Sequence, residues 1–248
     1  MTNSQLKLSF SKMHGLGNDF VVINALTKSI KLSQRQLRFI ANRRFGIGCD
    51  QILVIEPATA EDHDFYYRIF NADGSEVGQC GNGARCLMQY IHENKLSTKA
   101  SITVKTQSCQ LELSLGQDQY HGLITIKMPS PNFWPESFYP LTTQTKKIIN
   151  CQILDLGNPH AVIDSERHTL IDHQFEDLGK ELEVHATFPQ RANINFAKRL
   201  NRKTINLQTF ERGSGLTQAC GSGACATMAA FRKNNLVDQD VTIQMPGG

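Results

Sequence analysis

Two segments of the chain carry residues able to do proton chemistry: Cys80-Gly81-Asn82-Gly83-Ala84 and Cys220-Gly221-Ser222-Gly223-Ala224. Each sets a thiol beside glycines, ahead of a helix-forming stretch, where unpaired N–H groups and the helix dipole favour negative charge and lower a thiol pKa. The glycines leave those backbone donors uncovered, so a small carboxylate can dock against them. With one thiol on each face of the carboxylate's α-carbon, a thiolate removes the α-proton from one side and a thiol delivers a proton to the other. The configuration inverts, and donors in a dry site hold the enediolate-like charge. A lone Cys-Gly-x-Gly is more often a tight turn over a buried thiol. Its duplication gives this pair its weight.

That duplication has a register. Shifted by 140 positions, Cys80 lands on Cys220, Leu16-Gly17-Asn18 on Leu156-Gly157-Asn158, Phe70 on Phe210 and Met88 on Met228. Self-similarity at one gapless offset predicts two copies of one domain, expected at residues 1–118 and 119–248. The fold class expected is α+β: two pseudo-symmetric domains, each a mixed or antiparallel sheet wrapped around a central helix, with the active site in the cleft between them. By the same shift, the counterparts of Gln110–Leu115 and Leu123–Met128 fall beyond Gly248. The second domain is therefore expected to lack its final strands, about twenty residues' worth on repeat logic.

Apolar patterning places strands at Lys7–Phe10, Phe20–Asn24, Ile52–Ile55, Phe65–Phe70, Ile102–Thr106, Gln110–Leu115 and Leu123–Met128, then at Ile153–Leu156, Ala161–Ile163, Asn193–Ala197 and Ile205–Phe210. Ser33 with Gln36 forms a capping box opening a helix that Gly46 stops. Further helices are expected over Ala84 to about Glu93 and Ala224 to about Lys233, and the prolines at 129, 131 and 135 suggest an inter-domain or domain-edge segment.

The chain has 248 residues, with 26 Lys and Arg against 23 Asp and Glu, and its basic residues are scattered. That balance argues against nucleic acid as a partner and for a small molecule. Neither a signal segment nor a membrane-length apolar run is read, and seven cysteines fit no disulfide framework, so a cytoplasmic protein with free thiols is expected. Neither Cys80 with Cys86 nor Cys220 with Cys225 reads as part of a complete zinc-ligand set, and no pyridoxal-type site is apparent, so neither metal nor cofactor is expected. Cys49, Cys86, Cys109, Cys151 and Cys225 are read as small buried hydrophobes. Asp50 and Asp73 are read as local turn devices and Gly46 with Gly48 as a helix stop.

The stretches Lys12 to Phe20, Gly46 to Gln51, Arg68 to Arg85, Gly157 to His160, Arg191 to Asn193 and Glu211 to Cys225 together resemble the diaminopimelate epimerase family. The resemblance spans nearly the whole chain. It implies cofactor-independent interconversion of LL- and meso-diaminopimelate, serving lysine and peptidoglycan synthesis, with Cys80 and Cys220 as the acid/base pair. It further implies substrate contacts from Asn18, Gln51, Asn71, Gly81, Asn82, Asn158, Asn193, Glu211, Arg212, Gly221 and Ser222. His160 and Glu211 would assist the thiols, and a homodimer is compatible with this reading. Physical chemistry agrees with that cast: the non-reacting amino-acid head needs a carboxylate clamp such as Arg212 and acceptors for its ammonium. Leu216 stands where the family usually has Glu, which puts hydrogen bonding in that loop in question. Three other readings compete: a proline-type racemase using the same cysteines, a reversible Cys80–Cys220 disulfide switch, and a protein that captures an amino acid without turning it over.

Overall fold

A computed structural model describes residues 7–116 and 122–248. The boundary expected between residues 118 and 119 lies outside the described residues. The chain divides into two compact units, Met1–Lys127 and Met128–Gly248.

In the first unit the elements run β1 (Ser11–Gly15), β2 (Asn18–Asn24), α1 (Gln34–Ala41), β3 (Gln51–Pro57), β4 (Phe65–Asn71), β5 (Glu76–Val77), α2 (Gly81–Glu93), β6 (Ser101–Lys105), β7 (Gln110–Leu115) and β8 (Ile124–Lys127). They form a mixed sheet ordered β1-β2-β3-β4-β6-β7-β8, with β5 paired to β4. Both end strands, β1 and β8, touch α2, so the sheet curls around that helix. Phe20, Val22, Leu53 and Ile55 join Leu87, Met88 and Ile91 of α2 in one core, while Val21, Ile23, Ile52 and Val54 face α1 on the other side. Strands covered on both faces read as continuous apolar runs, as Phe20 to Ile23 and Ile52 to Ile55 do. Each fully buried Leu, Met or Ile on α2 contributes about 1.5–3 kcal/mol relative to an exposed one. The parallel β2–β3 pair is bridged by α1, whose Ser33–Gln36 capping box forms at both hydrogen bonds.

The first strand departs from the sequence reading: Lys7–Phe10 is not a strand, and β1 begins at Ser11. What fixes β1 is the two-residue turn Leu16-Gly17, with φ of 53° and 81°, which folds it back on β2 and sets Gly15 opposite Asn18. Among the described residues the alternation of residues 7–10 has no partner strand to meet.

In the second unit the order is β9 (Asn132–Phe133), β10 (Tyr139–Thr142), β11 (Ile148–Asp155), β12 (Pro159–Asp164), α3 (Phe175–Glu183), β13 (Asn193–Asn201), β14 (Thr204–Glu211), β15 (Gly215–Thr217), α4 (Gly221–Lys233) and β16 (Thr242–Gln244). The sheet runs β10-β11-β12-β13-β14-β15, with β9 on β11 and β16 on β14. Helix α4 packs on one face with Ala226, Ala230 and Phe231, and α3 on the other, where Phe175 stacks on Phe196 at 4.4 Å. Of the two placements expected for the proline-rich segment, the domain edge is the one found: it opens this unit, where Phe133 pairs with Leu154 and Trp134 meets Tyr139 edge-on at 5.3 Å.

The repeat extends to the elements themselves. Shifted by the same 140 positions, α2 coincides with α4 at both ends, and β2, β3, β4 and β5 fall on β12, β13, β14 and β15. The α1 span falls on α3, which sequence patterning missed.

Candidate active site

Both helices start earlier than expected, at Gly81 and Gly221, because each cysteine is itself the N-cap. Cys80 and Cys220 are extended at φ −150° and −132°, and each sulfur accepts the N–H of the third helical residue: Gly83 at 3.3 Å and Gly223 at 3.4 Å. Gly83 is required by packing, since a Cβ there would lie 2.5 Å from the Tyr67 hydroxyl and 3.2 Å from Leu53 Cδ2. Gly223 is equally confined, by Asn195 Oδ1 at 2.6 Å and Thr209 Oγ1 at 2.8 Å.

In the first unit, Asn18 opens β2, Gln51 opens β3, Asn71 closes β4, and Cys80 caps α2. Asn18 Nδ2 donates to Asp50 Oδ2 at 2.9 Å, which turns its Oδ1 toward the Cys80 sulfur at 3.9 Å. Asp50 is more than a turn device. Its other oxygen takes Arg43 Nη2 at 2.7 Å, and Arg43 and Lys12 both reach Asp19. Burial would raise the Asp19 carboxyl, but its bonds from Arg43, Lys12 and the Asp50 N–H outweigh that and hold it well below the usual carboxylate range. Gln51 Nε2 donates to Asn71 Oδ1 at 3.0 Å across the β3–β4 register, leaving Gln51 Oε1 buried without a partner among the described residues. Gly81 is half-buried, and the buried Asn82 accepts from Arg85.

The second unit repeats the arrangement at Asn158 before β12, Asn193 opening β13, Glu211 closing β14 and Cys220 capping α4. Burial, then the Glu211 carboxylate, push the Cys220 thiol well above its ordinary pKa, against smaller lowering from Ser222 and the Gly223 N–H. The expectation that the helix end lowers this thiol is thereby corrected: Cys220 is only 5% exposed, and desolvation outweighs the cap. Cys220 rests protonated, with the Glu211 carboxyl in hydrogen-bonding reach of it. Glu211 is itself raised by burial, partly offset by Thr217, whose hydroxyl donates to it at 2.6 Å. Leu216, beside Thr217, packs partly buried against the core behind β14, so the loop keeps its contact to Glu211 through the threonine.

Asn193 is 3% exposed, donates to Pro159 O at 3.3 Å and accepts the Arg212 N–H at 2.9 Å. It therefore fixes the main chain at Arg212. The Arg212 side chain is exposed and donates to Gln190 O at 3.1 Å. Gly221 and Ser222, both half-buried, form the first turn of α4, and Ser222 Oγ lies 3.6 Å from the Cys220 sulfur. His160 is fully buried, and that burial, with the nearby Arg212 charge, lowers its pKa to about 3. The imidazole is neutral at any physiological pH.

Sequence reasoning missed Asn195 and Thr209. They face each other across β13 and β14 beneath α4, and Asn195 contacts His160. The available signal was an amide between Ile194 and Phe196 and a hydroxyl before Phe210. Cys49, Cys86 and Cys151 are buried as expected, while Cys109 and Cys225 are only half-buried against their cores; burial raises Cys49 and Cys86 to about 11 and Cys151 to about 12, and Cys225 upward as well. Among the described residues no cluster of three or more His, Cys, Asp or Glu could hold a metal ion, and no helix is long and apolar enough to cross a membrane.

The sequence pattern described as diaminopimelate epimerase matches residues 10–134 and 153–248. The chain belongs to the diaminopimelate epimerase family. It is 42% identical over 253 residues to the diaminopimelate epimerases of Coxiella burnetii strains Dugway 5J108-111 and RSA 331, covering 98% of this chain and 90% of each relative. As a diaminopimelate epimerase family member it is an isomerase. Its fold is also that of a hydroxyproline epimerase from Agrobacterium vitis (TM-score 0.71, 13% identity, 96% of this chain and 80% of that one). A probable proline racemase from Agrobacterium radiobacter is alike to a similar degree (TM-score 0.70, 14% identity, 94% and 79%).

Proposed function

We propose that this protein interconverts LL- and meso-2,6-diaminopimelate in the cytoplasm, without metal or organic cofactor, using Cys80 and Cys220 as paired acid and base. The observation that carries the reading is the cysteine N-cap built twice, with sulfur and backbone donors together at each helix start. In the direction where Cys220 is the base, Glu211 takes the thiol proton. The thiolate then abstracts the substrate's α-proton and the Cys80 thiol protonates the opposite face. The roles reverse in the other direction. Helix-end N–H groups at Gly81, Asn82, Gly221 and Ser222 stabilise the carboxylate charge that develops between these steps. The distal head is clamped by Arg212, with Gln51 Oε1 open to its ammonium and the side-chain oxygens of Asn18, Asn71, Asn158 and Asn193, each already taking one donor, offering a second lone pair. The Gln51 acceptor, unsatisfied among the described residues, supports this, because a buried oxygen without a donor calls for one from a ligand. We extend the reading to an assembly of two copies, which sedimentation would check.

Incubation with LL-diaminopimelate in deuterium oxide tests it. Meso product carrying one α-deuterium is expected, and Cys80→Ser or Cys220→Ser should lower turnover by roughly 10²–10⁴-fold while binding persists. Binding without isotope incorporation would leave an amino-acid capture protein. Conversion of L-proline in preference would leave a proline-type racemase.

A further inference from the structure

The geometry points to Asn195 as a positioning residue that orients a one-way chain of hydrogen bonds, from Thr209 through Asn195, His160, Asn158 and Ser222, onto the Cys220 sulfur. It rests on the reading of Cys220 as an acid/base thiol, and its direction follows from the main chain. Asn195 Nδ2 lies 3.2 Å from Ala161 O, a backbone carbonyl that can only accept. That contact settles which end of the amide is nitrogen. The same Nδ2 lies 3.1 Å from His160 Nδ1, so Nδ1 is the acceptor and the neutral ring carries its hydrogen on Nε2. Thr209 Oγ1 donates to Asn195 Oδ1 at 3.1 Å, holding the other end.

The order then passes outward. His160 Nε2–H donates to Asn158 Oδ1 at 3.1 Å, which turns Asn158 Nδ2 toward Ser222 Oγ at 3.4 Å. With its oxygen accepting from Asn158, the Ser222 hydroxyl has its hydrogen free for the Cys220 sulfur, 3.6 Å away. Donors aligned in one sense polarise one another, and this chain stabilises negative charge on sulfur. The charged groups facing it are Glu211, whose carboxylate disfavours the thiolate form of Cys220 and, on the proposed function, takes the thiol's proton, and Arg212, which disfavours an imidazolium at His160. In the first unit, the positions that the strand registers match to His160, Asn195 and Thr209 are occupied by Phe20, Leu53 and Ile69, so this set of polar side chains is not repeated there.

The test reads the histidine tautomer and the sulfur separately. In ¹⁵N-labelled protein near pH 7, long-range ¹⁵N–¹H correlations, assigned with His160→Gln, should show His160 protonated on Nε2 alone. A proton on Nδ1 would overturn the proposal without any change to the chain-forming residues. Iodoacetamide alkylation at fixed pH, mapped by peptide mass, then compares the two thiols. Asn195→Leu and Thr209→Val should slow Cys220 by roughly two- to tenfold, the worth of one hydrogen bond, with Cys80 unmoved. Thr209→Ser, which keeps the hydroxyl, should restore the rate. An unchanged Cys220 rate in Asn195→Leu, or a common acceleration of both thiols through general loosening, would reject the chain. Neither measurement needs turnover, so absent epimerase activity would defeat the functional reading while leaving this one to be judged on its own.

Discussion

Substituting alanine for Gly83 ought to stabilise an ordinary helix, since relieving glycine's entropy cost is worth about 0.5–1 kcal/mol. Here the sign should reverse. The new methyl would lie 2.5 Å from the hydroxyl of Tyr67, which is fully buried, and 3.2 and 3.4 Å from Leu53 and Phe20. All three are core groups without room to retreat. Overpacking of this kind costs about 1–3 kcal/mol, so the net effect is a loss near 1 kcal/mol, with a range of roughly 0–2.5. Tyr67→Phe should undo most of it. It deletes the offending oxygen, which has no hydrogen-bond partner among the described residues, and leaves Leu53 as the nearest contact. A double-mutant cycle should therefore give a coupling of at least about 1 kcal/mol. Amide hydrogen exchange across α2 measures this in the unit concerned, with α4 amides as internal reference. Greater α2 protection in Gly83→Ala, or the same loss whether residue 67 is Tyr or Phe, would refute the packing argument.

Two predictions concern acid. The folded pKa of His160 is about 3 against ~6.5 in the unfolded chain, so the unfolded state binds the extra proton between those values. Stability should fall as pH drops through that window, by up to about 1.4 kcal/mol per unit, and urea titrations of His160→Gln should show that slope flattened. Asp19 has the opposite origin but the same direction: its depressed pKa gives stability that is complete above the unfolded value near 4 and lost as pH falls further. Arg43→Met, by removing its strongest partner, should make urea midpoints less dependent on pH below 4 than in the parent protein.

The register at 140 positions made α2, α4 and both cysteines legible, because a glycine-flanked thiol before a helix is distinctive in composition as well as in spacing. Applied to α1, the same shift would have found α3, whose own pattern is broken by Gly179 against Phe210. β1 was hidden because Ser11–Gly15 is a half-exposed edge strand whose position is set by a turn rather than by apolar alternation. The depth of Cys220 was hidden for another reason. Its burial is produced by residues far along the chain, Met245 among them, whose sulfur accepts the Cys220 N–H at 3.3 Å. His160's partners escaped for the same cause, being brought beside it only by the β12–β13–β14 register.

A sulfur that closes the first turn of its own helix cannot be chemically altered in private. Gain or loss of its proton, or capture by an electrophile, changes an acceptor on which Gly83 or Gly223 depends, so the event is transmitted to the backbone at once. Reagents that modify either thiol should consequently leave a mark beyond the blocked atom: fraying at residues 81–84 or 221–224, legible as a mechanical change even in protein that has never met a substrate.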